Sequence, residues 1–354
     1  MTTDSVYLER GEQRQRIASD AEVSSATPKN LIETHYLSVA DAFACLASMA
    51  DRVLGVVCHG IQCPSIPPEI PVASVAMTQL NTPPLVEIWT AGESVSRGGS
   101  NSLVWARTGD FLFGLYRQPP HEDGLESGTF HAYQEIFTLL KEQGTPHLLR
   151  VWNYFSAINA DDTDGMERYK HFCIGRYEAF ALGERLNASD IPAASAVGSR
   201  GGEFVLYFLA STRHGRAVEN DRQVSAYDYP PQYSPRSPLF SRATQLDWLP
   251  GRPLLISGTA SIVGHESIYI DDAARQTSET LNNIRRVVAL AFPNHASPLA
   301  LLQSLKVYVR HEDDLPVIRS LIESTLGRRV PSLYLLADIC RSELLLEIEA
   351  IAGE

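Results

Sequence analysis

The most regular alternation of apolar and polar positions lies in the last hundred residues. Leu254–Ala260 is an apolar run broken at Gly258, which predicts a strand. From Asp272 to Phe292, Ala274, Thr277, Leu281, Ile284, Val288 and Ala291 recur every three or four positions and predict an amphipathic helix. Leu305, Val307 and Val309 alternate with Lys306, Tyr308 and Arg310, the period of a strand. Asp314–Leu315–Pro316 opens a second helix with an acidic cap and an early proline, and Leu315, Ile318, Ile322 and Leu326 form its inner stripe. Leu333–Leu336 and Leu344–Ile351 supply the last strands. This strand–helix–strand–helix–strand–strand order predicts an α/β (α+β) architecture with helices packed on one face of a sheet.

Upstream, Phe111–Tyr116, His147–Phe155 and Phe204–Ala210 read as strands. Phe130–Lys141 reads as a helix with Tyr133, Ile136, Phe137 and Leu140 on one side, stopped by Gly144–Thr145–Pro146. A domain boundary is expected there, giving residues 1–145 and 146–354. From His35 to Glu142, short strand-like runs alternate with proline turns, Pro64–Ser65–Ile66–Pro67–Pro68 and Pro83–Pro84. Residues 1 to about 30 look peripheral. The Tyr/Pro-rich segment from Tyr227 to Pro238 reads as an ordered loop wrapped over something. No internal repeat stands out.

A length of 354 residues allows two domains with a substantial core, and 44% hydrophobic with 20% charged residues is ordinary for a globular protein. The net charge of -12 argues against a nucleic-acid partner. It leaves room for a small anionic substrate held by a local arginine cluster. The five cysteines, Cys45, Cys58, Cys63, Cys173 and Cys340, form no C-x-x-C pair, so free thiols in a reducing cytoplasm are expected and a zinc site is not. Residues Met1–Asp20 are polar and do not read as a signal peptide, and no apolar run approaches the roughly 18 residues that span a bilayer.

The oddity is the last strand, Leu344–Leu345–Leu346–Glu347–Ile348–Glu349–Ala350–Ile351, which sets two carboxylates in an apolar run seven residues after Cys340. A carboxylate is costly to bury unless it is paired, hydrogen-bonded or used. Strict alternation could equally put both on a solvated strand face.

Ser257–Gly258–Thr259–Ala260, Gln276–Thr277, Leu281–Asn282–Asn283–Ile284, Lys306–Val307–Tyr308–Val309 and Glu347–Ile348–Glu349–Ala350–Ile351–Ala352 resemble, in order and spacing, the reactive-intermediate (enamine/imine) deaminase family over residues 255–354. A second resemblance covers more of the chain. Arg150–Val151–Trp152–Asn153–Tyr154, Glu167–Arg168–Tyr169–Lys170–His171–Phe172–Cys173–Ile174–Gly175–Arg176, Pro192–Ala193–Ala194–Ser195–Ala196, Arg222–Gln223–Val224–Ser225–Ala226–Tyr227 and Ser257–Gly258 through His265–Glu266 are similar to the chorismatase family. That resemblance implies a deaminase-like fold with an added N-terminal domain and a monomer, while the lack of metal-ligand spacing and of nucleotide-binding motifs leads to the expectation of no cofactor and no metal. The resemblance also implies removal of the enolpyruvyl group of chorismate as pyruvate.

Breaking the enol ether needs a proton on the methylene carbon, hence a carboxyl of raised pKa in an apolar setting. The family pattern places its catalytic glutamate at Glu347 and leaves Glu349 structural. Cys340 is a small core residue on its own merits. The resemblance makes it the mark of the subtype that forms 3-hydroxybenzoate, through an arene oxide that the thiol helps to open. The alternatives are hydrolysis to trans-dihydroxycyclohexadiene carboxylate, or a mixture of 3- and 4-hydroxybenzoate.

The substrate's two carboxylates call for arginine forks, with Arg150, Arg176, Arg213 and Arg242 as candidates, each of which could also be a surface ion-pair partner. Tyr154, Tyr169 and Tyr207 could donate hydroxyls, Gly258 could let substrate approach the backbone, and Thr259 and Ser261 could help shape the pocket. His171 and His265 read as structural. No G-x-S-x-G elbow, P-loop or dinucleotide fingerprint is present. An imine deaminase-like enzyme with Arg341 as its carboxylate binder, and a non-catalytic small-molecule binder, are the remaining readings.

Overall fold

The computed structural model describes residues 32–63 and 66–354. The peripheral segment expected at the start of the chain and the Pro64–Ser65 part of the first proline turn lie outside the described residues.

Three stretches of chain each lay down one sheet, except that β4 of the first stretch joins the third sheet. The first comprises β1 (Ile32–Ser38), α1 (Val39–Met49), β2 (Val53–His59), β3 (Val72–Val75), the two-residue β4 (Thr78–Gln79) and β5 (Leu85–Ala91). The second comprises β6 (Ser96–Gly99), β7 (Leu103–Thr108), β8 (Phe111–Gln118), α2 (Gly124–Glu142), β9 (His147–Ser156), α3 (Arg168–Leu182), β10 (Ala193–Ser199) and β11 (Phe204–Ser211). The third comprises β12 (Arg216–Val218), β13 (Ala243–Gln245), β14 (Leu254–Thr259), a small hairpin of β15 (Ile262–Val263) and β16 (Glu266–Ser267), α4 (Ala273–Ala291), β17 (Leu302–Val309), α5 (Leu315–Leu326), β18 (Ser332–Leu336) and β19 (Leu346–Ala352).

The strand orders are β1-β5-β2-β3, β6-β7-β8-β11-β9-β10 and β12-β13-β14-β19-β17-β18-β4. The runs β1-β5-β2-β3, β8-β11-β9-β10 and β14-β19-β17-β18 are one motif used three times. In each, the last strand inserts antiparallel between two earlier ones, and the outer pair is parallel. The second and third units add a leading hairpin. An internal repeat therefore exists, contrary to the sequence reading. It is carried by strand order and not by residue identity, because many apolar sets satisfy the same pleat.

The units close on one another cyclically. In each, the loop before the last strand stitches onto the outer parallel strand of the next unit. Gly198 N donates to Asp338 O at 2.8 Å, Leu80 N to Tyr334 O at 2.8 Å, and Arg200 N to Ala76 O at 2.7 Å.

The helices face outward, and the inner sheet faces share a core that draws Val57 and Trp89, Trp152 and Tyr207, and Leu255 and Tyr308 from the three sheets. On the third sheet, Leu281, Ile284 and Val288 of α4 join Ile318 and Ile322 of α5 over Val307 and Ile348, as the stripes predict. Asp272 caps α4 by accepting from Arg275 N, and Gly327, with φ 62°, ends α5. The expected α/β (α+β) class with helices on one face of the sheet is what the third unit shows.

Two expectations are corrected. The boundary at 145/146 falls between α2 and β9, inside the second sheet, and the third sheet begins at Arg216, upstream of residue 255. Gly144–Thr145–Pro146 ends a helix, yet α2 buries Tyr133, Ile136 and Leu140 in one core with residues from the strands that follow. The cysteines are not all free. Cys58 and Cys63 form a disulfide across a turn at Gly60, with Cα atoms 5.6 Å apart, while Cys45, Cys173 and Cys340 are unpaired. Among the described residues, no helix is long and apolar enough to cross a membrane.

Candidate active site

The seam between the second and third units opens into a narrow cavity. Its walls come from α3 and β10 on one side, and from β14, β19 and the loop before β19 on the other. The Tyr/Pro-rich segment covers it, through Tyr229, Tyr233 and Pro238.

Glu347 reaches this cavity from the middle of β19 and is 4% exposed. Opposite it, the pairing of β14 with β19 slips between Ile256 and Thr259, so Ser257 and Gly258 form a bulge. Ser257 Oγ accepts from Ala194 N at 2.9 Å, and Gly258 N donates to Ser195 Oγ at 3.1 Å, which ties the bulge to β10 across the seam. A Cβ on Gly258 would stand 1.9 Å from Glu347 Oε1. The space that sequence reasoning assigned to substrate at Gly258 is thus taken by the glutamate. Oε1 is buried without a hydrogen-bond partner. Burial first, and the neighbouring Glu349 carboxylate second, push the Glu347 carboxyl up to about 8, with Arg150 opposing. It is therefore protonated at neutral pH.

Glu349, two residues on and on the same strand face, has the opposite environment. Trp152 Nε1 donates to one oxygen at 2.7 Å and Tyr308 OH to the other at 2.8 Å, with Arg150 Nη2 at 3.2 Å and Lys306 Nζ at 3.8 Å. Burial alone would raise its pKa, but Arg150 and Lys306 reverse this and hold it below the ordinary range. Lys306 also pairs with Glu87 at 2.9 Å and donates to Tyr207 OH at 2.6 Å. One strand face thus carries a neutral and an ionised carboxyl, separated by their partners.

Three arginines line the cavity. Arg176, on α3, is 3% exposed, and its Nε and Nη2 have no hydrogen-bond partner in the protein. Its guanidinium lies 5.1 Å from the ring centroids of Tyr133 and Phe180. Arg242 donates from Nη2 to Tyr229 OH at 2.8 Å and to Val224 O at 2.9 Å, while its buried Nε is unpartnered. Arg341 stacks 4.0 Å over Tyr233 and donates to His265 O at 2.9 Å. Orphaned buried N–H groups cost about 1–3 kcal/mol each unless an acceptor reaches them. Several converge here beside a neutral carboxyl.

Cys340 and Cys173 share the cavity with Tyr169. Burial and the adjacent Glu347 drive the Cys340 thiol above its ordinary pKa, and burial pushes Cys173 up to about 12. Both are thiols, not thiolates, at neutral pH.

Of the residues singled out from sequence, Glu347, Cys340, Tyr169, Arg176, Arg242 and Gly258 meet in the cavity. Arg150, Tyr154, Tyr207, Arg213, Thr259 and Ser261 do not line it. Arg150 is turned toward Glu349 and donates to Ser195 Oγ at 2.6 Å. Tyr154 hydrogen-bonds Tyr308 at 2.8 Å, and Tyr207 serves Lys306. Arg213 is exposed and stacks 4.6 Å over Trp248. Sequence reasoning gave no role to Ser195, Cys173, Tyr229, Tyr233 or Phe240, and weighed Arg341 only for a different activity. His265 accepts or donates at Tyr233 OH at 3.1 Å, and His171 bridges Glu126 and Asp164 at 3.0 and 3.1 Å, both in structural positions.

Residues 87–210 match the family model described as chorismatase FkbO/Hyg5-like, N-terminal. A 3-hydroxybenzoate synthase of Streptomyces hygroscopicus is 37% identical over 313 residues, 85% of this chain and 91% of that protein. A chorismatase of Streptomyces rapamycinicus is 38% identical over 317 residues, 86% of this chain and 93% of that one. A chorismatase crystal structure superposes with a TM-score of 0.81 at 32% identity, covering 93% of this chain and all of that one.

Proposed function

The chain belongs to the chorismatase family, and from that premise we propose that it converts chorismate to 3-hydroxybenzoate and pyruvate, with Glu347 as the acid. The observation that carries this reading is a carboxyl whose pKa is raised to about 8 by burial, in a cavity lined by three arginines. A dianionic substrate needs cations for its carboxylates and a neutral acid for its enol ether, and Arg176, Arg242, Arg341 and Glu347 supply both.

Glu347 protonates the methylene carbon of the enolpyruvyl group. The side-chain carbon gains oxocarbenium character, the ring C–O bond breaks, and the bonding pair goes to the side-chain oxygen, which leaves as the ketone of pyruvate. The neighbouring ring hydroxyl closes on the vacated carbon and returns its proton to the Glu347 carboxylate, giving an arene oxide. Opening of the oxide and loss of a ring proton restore aromaticity. No water is consumed, and the substrate's atoms divide between the two products.

Cys340, held as a thiol by burial and by Glu347, donates a hydrogen bond to the oxide oxygen as it opens. The hydrolytic alternative would replace the ring hydroxyl by water and yield the non-aromatic diene. The packed wall of Phe172, Leu239, Phe240 and Ile262 disfavours water. All the groups named come from one chain, so a monomer is competent.

Incubating the protein with chorismate and separating the products by chromatography tests the reading. Stoichiometric pyruvate and 3-hydroxybenzoate are expected. Folded protein that releases no pyruvate would refute the activity, and diene as main product would refute the subtype.

A further inference from the structure

A second cluster of ligand-bearing side chains lies outside the cavity, where the strands of the second unit begin. His147 opens β9. Asp190 closes a turn of 3-10 helix, Ala188–Asp190, just before β10. His214 sits in the loop between β11 and β12. One ligand atom from each of the three falls within 4.8 Å of the others. The two imidazole centroids are only 3.5 Å apart, with planes inclined at 36°.

Rings this close would repel if both were protonated. Two imidazoles and a carboxylate are a borderline-soft donor set that suits zinc-like ions better than calcium or magnesium.

We propose that His147, Asp190 and His214 form a binding site for one divalent transition-metal ion of the zinc class, with solvent in the remaining position. No local motif announces it, because the ligands come from three separate segments. That is why cysteine and histidine spacing predicts no metal. None of the three lines the catalytic cavity. The ion would act as a clasp, tying the starts of β9 and β10, which carry Arg150, Trp152 and Ser195, to the end of β11.

The test uses tag-free, full-length protein stripped with chelator and titrated with Co2+ and Zn2+. One equivalent should bind, with a visible Co2+ d–d band and a Zn2+-dependent rise in the unfolding midpoint. The H147A/H214A variant should lose both, and D190N should weaken binding by about tenfold or more. An H121A/H131A control, which removes the other stacked histidine pair, at 5.2 Å, should retain both. Turnover should be the same with and without metal. Absence of a bound equivalent in the wild type, or a band that persists in H147A/H214A or D190N at unchanged affinity, would overturn the proposal.

Discussion

Gly258 and Glu347 share one site: the Cβ that Gly258 lacks would lie 1.9 Å from Glu347 Oε1 and 2.5 Å from its carboxyl carbon. Because the colliding atoms are the far end of a flexible side chain, G258A should fold and displace the carboxyl. Gly258 is not in the left-handed region, so the effect is steric. Turnover should fall by about 100-fold, as expected when a reacting group is misplaced by about 1 Å. Circular dichroism should stay native. Wild-type kcat in folded G258A would show that the glutamate need not occupy this position.

The pH profile should follow the acid. With Glu347 held near 8, kcat should be level at lower pH and fall as pH rises through that value. E347Q should lose about 10³-fold in kcat, within the range for a positioned general acid. Measuring kcat from pH 6 to 10 in both proteins decides it. An alkaline limb that survives unchanged in the residual activity of E347Q would assign the titration to another group.

Wild-type stability should also fall as pH rises. A carboxyl whose folded pKa lies above its unfolded value of about 4.5 favours folding at low pH, and that contribution is lost as pH rises toward 8. E347Q carries no such term. Its unfolding midpoint relative to the wild type should therefore rise between pH 5 and 8, even though it is inactive. Parallel thermal melts across that range are the measurement, and a constant difference would contradict the burial argument.

Product identity should turn on the thiol. C340A should still release pyruvate, since Glu347 and the arginines are intact, while the aromatic fraction falls in favour of the diene. Chromatography of the product mixture reads this directly. An unchanged product ratio would remove Cys340 from the chemistry.

Arg176 offers the clearest binding test, because Nε and Nη2 are buried and unpartnered. R176Q should raise KM by about 10–100-fold, the loss of one charged hydrogen-bonding group at about 1.5–3 kcal/mol. R150Q, by contrast, removes a partner of the buried Glu349 carboxylate and should lower the unfolding midpoint. Equal KM effects in the two variants would break the distinction drawn between cavity and core arginines.

The carboxylates in the terminal strand stood out because their neighbours are apolar, although strict alternation along Leu344–Ile351 allowed a solvated face just as well. Their division of labour came from the family resemblance and not from the strand pattern itself. Glu347 and Glu349 share a strand face, and only the partners brought by β9 and β17 make one neutral and the other charged. Arg150 misled for the same reason, since a family motif gives a residue's neighbourhood but not the direction of its side chain. The α3 helix was overlooked because it buries Cys173 and Arg176 along with Phe172 and Phe180, which leaves no clean apolar stripe. The 145/146 boundary failed because Gly–Thr–Pro punctuation marks the end of a helix whether or not a domain ends with it.

The threefold repeat has a consequence for how such a site can change. In a ring of three identical chains, every substitution appears at every junction, so a residue that suits one chemistry must be tolerated three times. Here each junction is lined by its own stretch of one chain. One holds Glu347 and the arginines, while another is closed by β4 on β18 and by Asn81 reaching Ser332 O at 2.9 Å. A single chain thus leaves two junctions to serve as scaffold and lets the third differ by itself. Asymmetric ligands, with different groups at their two ends, are the kind such a junction can fit.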